Sequence, residues 1–190
     1  MKYADGKEKI DSYRKQIANL RVEMRSARDK TEPQPVEDYQ LADSSGPVSL
    51  SALFGDKDEL IVIHNMGTSC SYCTLWADGY NGVADHLNNR AAFVVVSPDA
   101  PAAQKKFADS RGWRFRMASH QGGKFAEEMG YKSAKGGWLP GVSVFRKDGG
   151  KVVRVSDTPL GPYDDFCSVW HLFDMLPGGA SSWSPKFKYD

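Results

Sequence analysis

The feature that most constrains this chain is a pair of cysteines, Cys70 and Cys73, between an apolar run and the start of a helical sequence. The run Leu60-Ile61-Val62-Ile63 is continuously apolar, which predicts a strand buried on both faces in an α/β sheet. Thr74-Leu75-Trp76-Ala77 follows the second cysteine and is typical of the first turns of a helix. This strand, loop and helix together favour thiol–disulfide chemistry.

The two cysteines are expected to differ in reactivity. The unpaired N–H groups at a helix start favour an anion, and in a Cys-x-x-Cys unit they lower the pKa of a thiol from about 8.5. We therefore expect Cys70 to be the nucleophile and Cys73 the more buried resolving thiol. The Cys70 thiolate would attack a disulfide in a protein or small-molecule partner, and Cys73 would resolve the mixed disulfide. The spacing sets neither the direction of the reaction nor the substrate.

A metal site, or two incidental thiols, are the alternative interpretations of the pair. A zinc site needs two more ligands. The remaining candidates show no paired spacing: Cys167, His64, His86, His120 and His171. We predict no metal and no cofactor, and we expect Cys167 to be a small buried side chain.

Charge and hydropathy exclude several functional classes. The formal net charge of +1 argues against general nucleic-acid binding, which needs a basic face. No run of 18 apolar residues occurs, so we predict no membrane span. Residues 1–9 are charged and lack the apolar centre of a signal peptide. We therefore expect a cytoplasmic protein, where a close cysteine pair is catalytic, redox-sensing or metal-binding rather than structural.

Residues 7–30 have the pattern of an amphipathic helix. One face carries apolar residues at steps of three and four: Ile10, Tyr13, Ile17, Leu20 and Met24. We expect this face to pack on the rest of the chain or on a second subunit, which would make a homodimer. A helix bound to a membrane surface or to nucleic acid is the alternative. Prolines 33 and 35 end the helix, which divides the chain into residues 1–35 and a domain at 36–190.

The rest of the chain alternates between strands and helices. After two short strands, the predicted elements cover residues 59–64, 70–89, 92–96, 99–111, 113–118, 123–130, 142–146, 151–155 and 163–176. We expect an interruption of the second helix near Gly79 and Gly82. This order predicts an α/β fold with a mixed central sheet and helices on both faces.

At this point the chain resembles the thioredoxin-like superfamily. It is more closely similar to a bacterial family of uncharacterised thioredoxin-like proteins described as predicted dithiol–disulfide oxidoreductases. The matching stretches are Ser49-Leu50-Ser51-Ala52-Leu53-Phe54, residues 60–64, residues 70–82, Val95-Val96-Ser97, residues 140–145 and Leu176-Pro177. The resemblance covers nearly the whole chain. The extra strand and helix between Trp113 and Tyr131 resemble the insertion of peroxiredoxin-like branches.

The resemblance implies a proline opposite the cysteines. In thioredoxin-like proteins this proline follows a cis bond, and Leu139-Pro140 occupies the matching position. We expect a cis bond there, with the backbone of Leu139 pairing with a substrate strand. An ordinary trans proline is the alternative.

The resemblance also identifies a position six residues before Cys70, where thioredoxins bury an acid. This chain has His64 there, which we expect either to accept the proton of Cys73 or to be a hydrogen-bonded core histidine. Trp76, Trp138 and Met66 are candidates for an apolar rim that binds substrate. Thr68, beside the pair, is a further binding candidate.

The sequence therefore predicts a thiol–disulfide oxidoreductase. A peroxidase of peroxiredoxin-like type ranks second, because the loop does not match the peroxiredoxin pattern of a proline and a threonine before the cysteine. Here Thr68 lies only two positions before Cys70, and the loop contains no proline. A non-catalytic thioredoxin-fold protein that binds a partner or holds a metal at the pair is the third possibility.

Overall fold

The computed structural model describes residues 1–189, which form two compact units, Met1–Pro33 and the chain from Gln34 onward. The first unit contains helix α1 (Tyr3–Lys30). The second contains β1 (Gln34–Pro35), β2 (Gln40–Asp43), β3 (Gly46–Ser49), β4 (Glu59–His64), α2 (Ser71–Gly82), α3 (Ala84–Arg90), β5 (Ala92–Ser97), α4 (Pro101–Arg111), β6 (Arg116–Ser119), α5 (Phe125–Glu128), β7 (Gly141–Asp148), β8 (Lys151–Pro159) and α6 (Ser168–Phe173). A single 3-10 turn covers Ser51–Phe54. The predicted division at residues 35 and 36 stays a prediction.

The eight strands form one mixed sheet in the order β1-β8-β7-β4-β5-β6-β2-β3. Strands β4, β5 and β6 are parallel, and the other neighbours are antiparallel. The parallel pairs are joined by crossovers through α2–α3 and through α4, as parallel strands require. The predicted mixed sheet and α/β class are confirmed.

Strand β4 lies inside the sheet and is covered on both faces. Leu60 and Val62 belong to a core that includes the 3-10 turn and α5. Ile63 belongs to a second core on the other face, with residues of α2, α3 and α6. Successive side chains of a strand point to opposite faces, so the continuous apolar run supplies both cores.

Several elements differ in extent from the sequence prediction, including α2, α6 and β6. Helix α2 ends at Gly82 and α3 restarts at Ala84, close to the predicted interruption. Helix α6 begins at Ser168 rather than near residue 163, because the Asp164 carboxylate accepts the backbone N–H groups of Gly161 and Phe166 and holds a turn. Strand β6 begins only at Arg116. Before it, the backbone N–H of Trp113 bonds back to Ala108 at the end of α4.

Within residues 1–189, no helix combines the length and the apolar content that a membrane span requires.

A close contact between Gly141 and Tyr131 gives a test of the packing at the start of β7. A Cβ at Gly141 would lie 1.8 Å from Cε1 of Tyr131. The Tyr131 ring is held in place, since its hydroxyl donates to the carbonyls of Val142 (3.0 Å) and Thr158 (3.1 Å). We predict that Gly141→Ala lowers the free energy of unfolding by about 1–3 kcal/mol. Urea unfolding measures this change.

Gly82→Ala is the matched control, because a Cβ there meets no atom within 4 Å. This second variant should be neutral or slightly stabilising. Equal stability of the two variants would contradict the close contact.

Candidate active site

The cysteine pair lies where the chain passes from β4 into α2. Cys70 occupies the N-cap position of α2 in extended backbone conformation, and the helix begins at Ser71. The backbone N–H of Cys73 donates to Sγ of Cys70 over 3.0 Å. Both the backbone N–H and the hydroxyl of Thr74 donate to the carbonyl of Cys70, over 3.0 Å and 2.9 Å. The sulfur of Cys70 therefore acts as the cap of the helix.

The two thiols are in opposite electrostatic situations. Cys70 is partly exposed, whereas only 3% of Cys73 is accessible. A hydrogen bond from the Cys73 side chain lowers the pKa of Cys70 to about 7, with help from the backbone N–H groups of Cys73 and Tyr72 and against the effect of burial. The same side-chain hydrogen bond and burial raise the pKa of Cys73 far above its ordinary value. Cys70 is therefore the more acidic thiol of the pair, and Cys73 is the thiol that keeps its proton. The roles of nucleophile and resolving thiol stay predictions.

Asp99 holds the loop that carries the pair. Its carboxylate accepts the backbone N–H of Thr68 over 2.9 Å and the Thr68 hydroxyl over 3.3 Å. Gly67 has a φ of +108°, and a Cβ there would lie 3.0 Å from Oδ2 of Asp99. The Gly67 carbonyl in turn accepts the backbone N–H of Cys70 over 3.1 Å. The predicted substrate residue Thr68 thus uses its hydroxyl within the protein, to fix the loop.

Sequence reasoning missed Asp99. It follows β5, and β5 ends at the same edge of the sheet as its parallel neighbour β4. A polar residue just after that strand was the available signal. Ser97, the last residue of β5, supports Asp99 by donating its hydroxyl over 3.1 Å.

His64 is a buried histidine without a hydrogen bond to either cysteine among the described residues. Only 3% of it is accessible, and its Nε2 lies 3.0 Å from the Ser143 hydroxyl. Its ring stacks on Tyr131 at 3.9 Å and on Phe125 at 5.4 Å. Burial lowers the pKa of His64 from 6.5 to about 3, so the imidazole is neutral near pH 7. Its role as the proton acceptor of Cys73 stays a prediction, and this environment is that of a packed core histidine.

The expected cis bond before Pro140 was wrong. The peptide bonds of residues 1–189 are trans, including Leu139–Pro140. The chain approaches β7 along a path fixed by two backbone bonds, from Leu139 N–H to the Tyr131 carbonyl (2.9 Å) and from Leu160 N–H to the Pro140 carbonyl (3.0 Å). This path accommodates the ordinary trans form. It also occupies the N–H of Leu139, one of the two polar groups of the backbone that was expected to pair with a substrate strand.

Pro140 nevertheless lies at the correct edge of the sheet. Gly141 pairs with His64, so Pro140 is at the end of β4 from which the cysteine loop departs. Leu139 is 41% exposed there.

The predicted apolar rim does not form as a unit. Trp76 is only 2% accessible and belongs to the second core, with its Nε1 donating to Asp164 over 3.3 Å, so its place in a rim was wrong. Trp138 packs against the first core and meets the ring of His120 edge-on at 4.4 Å. Met66 is partly buried and contributes its backbone N–H, which donates to Sγ of Cys73 over 3.4 Å. The sequence could not separate these positions, because all three residues suit either a core or a rim.

Cys167 lies apart from the pair in the hydrogen-bond network. It is buried at the N-cap of α6, and burial raises its pKa. No disulfide joins any two of the three cysteines. In the described part of the chain, no three His, Cys, Asp or Glu side chains are grouped to hold a metal ion.

Comparison with known proteins supports the fold. A family profile described as "Bacterial protein of unknown function (DUF899)" matches residues 7–188. No curated protein matches the sequence. Among solved structures, the peroxidoxin BcpB from Mycobacterium tuberculosis is 26% identical with a TM-score of 0.55, over 67% of this chain and 84% of that one.

Two further solved structures show the fold alone. Peroxiredoxin Q from Xanthomonas campestris is 18% identical with a TM-score of 0.55, over 64% of this chain and 80% of that one. A peroxiredoxin-like protein from Aquifex aeolicus is 20% identical with a TM-score of 0.54, over 67% and 75%. The predicted thioredoxin-like fold, with the peroxiredoxin-like insertion, is thereby confirmed.

The unequal thiols generate a prediction about Cys70. Its alkylation rate in the reduced protein should rise with pH through a midpoint near pH 7, because only the thiolate reacts. Cys73→Ala removes the side-chain donor and should raise this midpoint, whereas Cys73→Ser keeps an O–H donor and should raise it less. Thiolate absorbance at 240 nm during a pH titration measures the midpoint in the wild type and in each variant. Identical midpoints in the wild type and Cys73→Ala would contradict the hydrogen bond.

The buried imidazole of His64 generates a second prediction. Between pH 6.5 and about 3 the unfolded chain binds a proton at residue 64 that the folded chain does not. The free energy of unfolding should therefore fall as the pH is lowered through this window, by up to about 1.4 kcal/mol per pH unit. His64→Gln should flatten the dependence, and His86→Gln, at an exposed position of α3, should leave it unchanged.

Some slope should remain in His64→Gln, since burial also lowers the pKa of His120. If His64→Gln does not fold, the wild-type ring signals give the same information by NMR. Titration of the His64 ring near pH 6.5 would contradict its buried, neutral state.

Proposed function

The chain belongs to DUF899, a bacterial family of unknown function, and from that premise we propose that it is a thiol–disulfide oxidoreductase acting through Cys70 and Cys73. One observation carries the proposal. A partly exposed thiol whose pKa is lowered to about 7 lies next to a buried thiol that keeps its proton. This asymmetry is what a nucleophile and a resolving thiol need.

In the first step, the Cys70 thiolate attacks one sulfur of a disulfide in the partner. A bond forms between Sγ of Cys70 and that sulfur, the partner's S–S bond breaks, and the other partner sulfur leaves as a thiolate. The Thr68–Asp99 and Cys70–Gly67 bonds hold the attacking sulfur at the start of α2 during this step. The product is a mixed disulfide.

In the second step, Cys73 resolves the mixed disulfide. The largest cause of its raised pKa is the hydrogen bond to Cys70, and this cause disappears once the Cys70 sulfur is uncharged in a disulfide. The N–H of Met66, 3.4 Å from Sγ of Cys73, stabilises the thiolate that then forms. The Cys73 proton passes to the thiolate released in the first step. Cys73 attacks Cys70 in the mixed disulfide, and the partner leaves as a second thiolate that takes its proton from water. The Cys70–Cys73 pair has then been oxidised by two electrons to a disulfide.

The proposed partner is a protein or a small-molecule disulfide, and the proposed setting is the cytoplasm. Cys70 is partly exposed at the N-cap of α2. An open site of this kind suits a partner that presents its disulfide at the surface. A reducing compartment would return the protein disulfide to the dithiol form.

A thiol peroxidase is the second candidate, favoured by the likeness to peroxidoxin BcpB. In this reaction the Cys70 thiolate attacks the peroxide O–O bond, which leaves a sulfenic acid on Cys70 and releases water or an alcohol. Cys73 then condenses with the sulfenic acid, with loss of water, to the same protein disulfide. The two candidates thus share both cysteines and differ in the oxidant.

The decisive experiment compares cysteine variants in parallel assays of insulin disulfide reduction and hydrogen peroxide consumption. We predict that Cys70→Ser loses essentially all disulfide exchange, and that Cys73→Ser accumulates the mixed disulfide because nothing resolves it. Cys167→Ser is the matched control and should keep full activity, since Cys167 is buried and shares no hydrogen bond or disulfide with the pair in the described residues.

Equal behaviour of the wild type and Cys70→Ser with every disulfide and dithiol would overturn the oxidoreductase. Cys70-dependent peroxide consumption, with a sulfenic acid trapped in Cys73→Ser, would support the peroxidase in its place.

A further inference from the structure

Helix α1 carries an apolar face along its length. It contains 28 residues, which is about 42 Å of helix, and none of them is buried. The side chains of Ile10, Tyr13, Ile17, Leu20 and Met24 are 48–57% exposed. A helix of this kind gains most of its stability from packing of its apolar face, so α1 needs a partner.

The spacing of these residues identifies the partner as another helix. The apolar positions follow a strict seven-residue repeat, in which each heptad contributes two seam positions. The seam consists of Tyr3, Gly6, Ile10, Tyr13, Ile17, Leu20, Met24 and Ala27. A repeat of 3.5 residues per turn is the pattern of a coiled coil rather than of a helix packed on a sheet, whose apolar stripe is wider.

We propose that the partner is α1 of a second copy, packed antiparallel in a two-stranded coiled coil. The seam is complementary to itself in this orientation. In the antiparallel register Ile10 faces Leu20 of the second copy, and Tyr13 faces its Ile17. Towards the ends, the large Met24 faces Gly6 and the large Tyr3 faces Ala27. Large residues thus meet small ones at both ends, and the two-fold axis repeats every contact.

A parallel arrangement fits the same seam less well. There every seam residue meets its own copy, so Gly6 faces Gly6 and Ala27 faces Ala27, which leaves gaps at two layers. Gaps of this size cost about 1 kcal/mol each. The size pattern therefore favours the antiparallel form.

The charges beside the seam are mixed. In the antiparallel form Lys9 faces Glu23 of the second copy, twice by symmetry. The opposite flank of the seam carries only cations, at Lys7, Arg14, Arg21 and Arg28. Asp11 lies 2.8 Å from Arg14 and 3.8 Å from Lys7 in the same helix and offsets part of this charge. Binding of a basic helix to an anionic membrane would weaken as added salt screens the attraction.

The first test is the mass of the full chain in solution by light scattering, across a concentration series. The expected result is twice the 21.0 kDa of one chain. Leu20→Asp places a charge in the seam of both copies and should raise the dissociation constant about 100-fold or more. Val22→Asp is the matched control: Val22 is equally exposed, at 55% against 57% for Leu20, but lies outside the seam, so this variant should remain a dimer.

A monomeric wild type at high micromolar concentration would overturn the proposal. So would a dimer that Leu20→Asp leaves intact, because the interface would then lie elsewhere. A chain that is monomeric in solution and binds vesicles of anionic lipid, with affinity lost in Leu20→Asp, would replace the second copy by a membrane surface.

The orientation has its own test, a charge exchange between Lys9 and Glu23. In the antiparallel form Lys9→Glu creates two repulsive pairs and should raise the dissociation constant about tenfold. The double variant Lys9→Glu/Glu23→Lys restores both pairs and should return the constant to the wild-type value. In a parallel dimer Lys9→Glu would instead face Arg14 and strengthen the association, and that result would overturn the antiparallel seam.

Discussion

Strand β4 is hydrogen-bonded along both edges and covered on both faces, and this confinement determines where the chemistry lies. Its neighbours are β5, parallel, and β7, antiparallel, in continuous register from residue 60 to His64. Because both edges of β4 are paired, the strand cannot change register, and the position of its last residue is fixed. The cysteine loop departs from that point. The position of the cysteine loop is therefore set by the strand that precedes it.

The second constraint is the parallel pairing of β4 with β5, which ends both strands at the same edge of the sheet. Asp99 follows β5 at that edge and reaches the backbone of Thr68. Hydrogen bonds thus fix the loop from Asn65 to Cys70 at both ends and in its middle. The end of this loop sets the position of the first residue of α2. The inequality of the two thiols then follows from local geometry: the first residue caps the helix, and the residue three positions on is turned inward.

Sequence reasoning was accurate where a feature depends on local pattern. The cysteine pair, the buried β4 and the break in α2 near Gly82 are of this kind, and the resemblance to thioredoxin-like proteins supplied the sheet around them. It failed where distant contacts decide. Trp76 packs in the second core, where its N–H donates to Asp164, 88 positions along the chain. The Leu139–Pro140 bond was assigned by analogy, but the backbone bonds of Leu139 and Leu160 hold that segment. The contact that makes Asp99 important is with Thr68, 31 positions earlier, and the sequence pattern does not show it.

His64 shows how one substitution in a shared fold changes the proton chemistry that the fold supports. A buried acid at this position is a base near neutral pH, but an imidazole with its pKa lowered to about 3 holds a proton poorly and takes one from a thiol only at high cost. The proposed mechanism therefore gives the proton of Cys73 to another acceptor. The thiolate released when Cys70 attacks the partner has a pKa far above that of His64, and it appears at the moment when the Cys70–Cys73 hydrogen bond is lost. In the proposed reaction the base is thus the thiolate released from the substrate rather than a buried side chain.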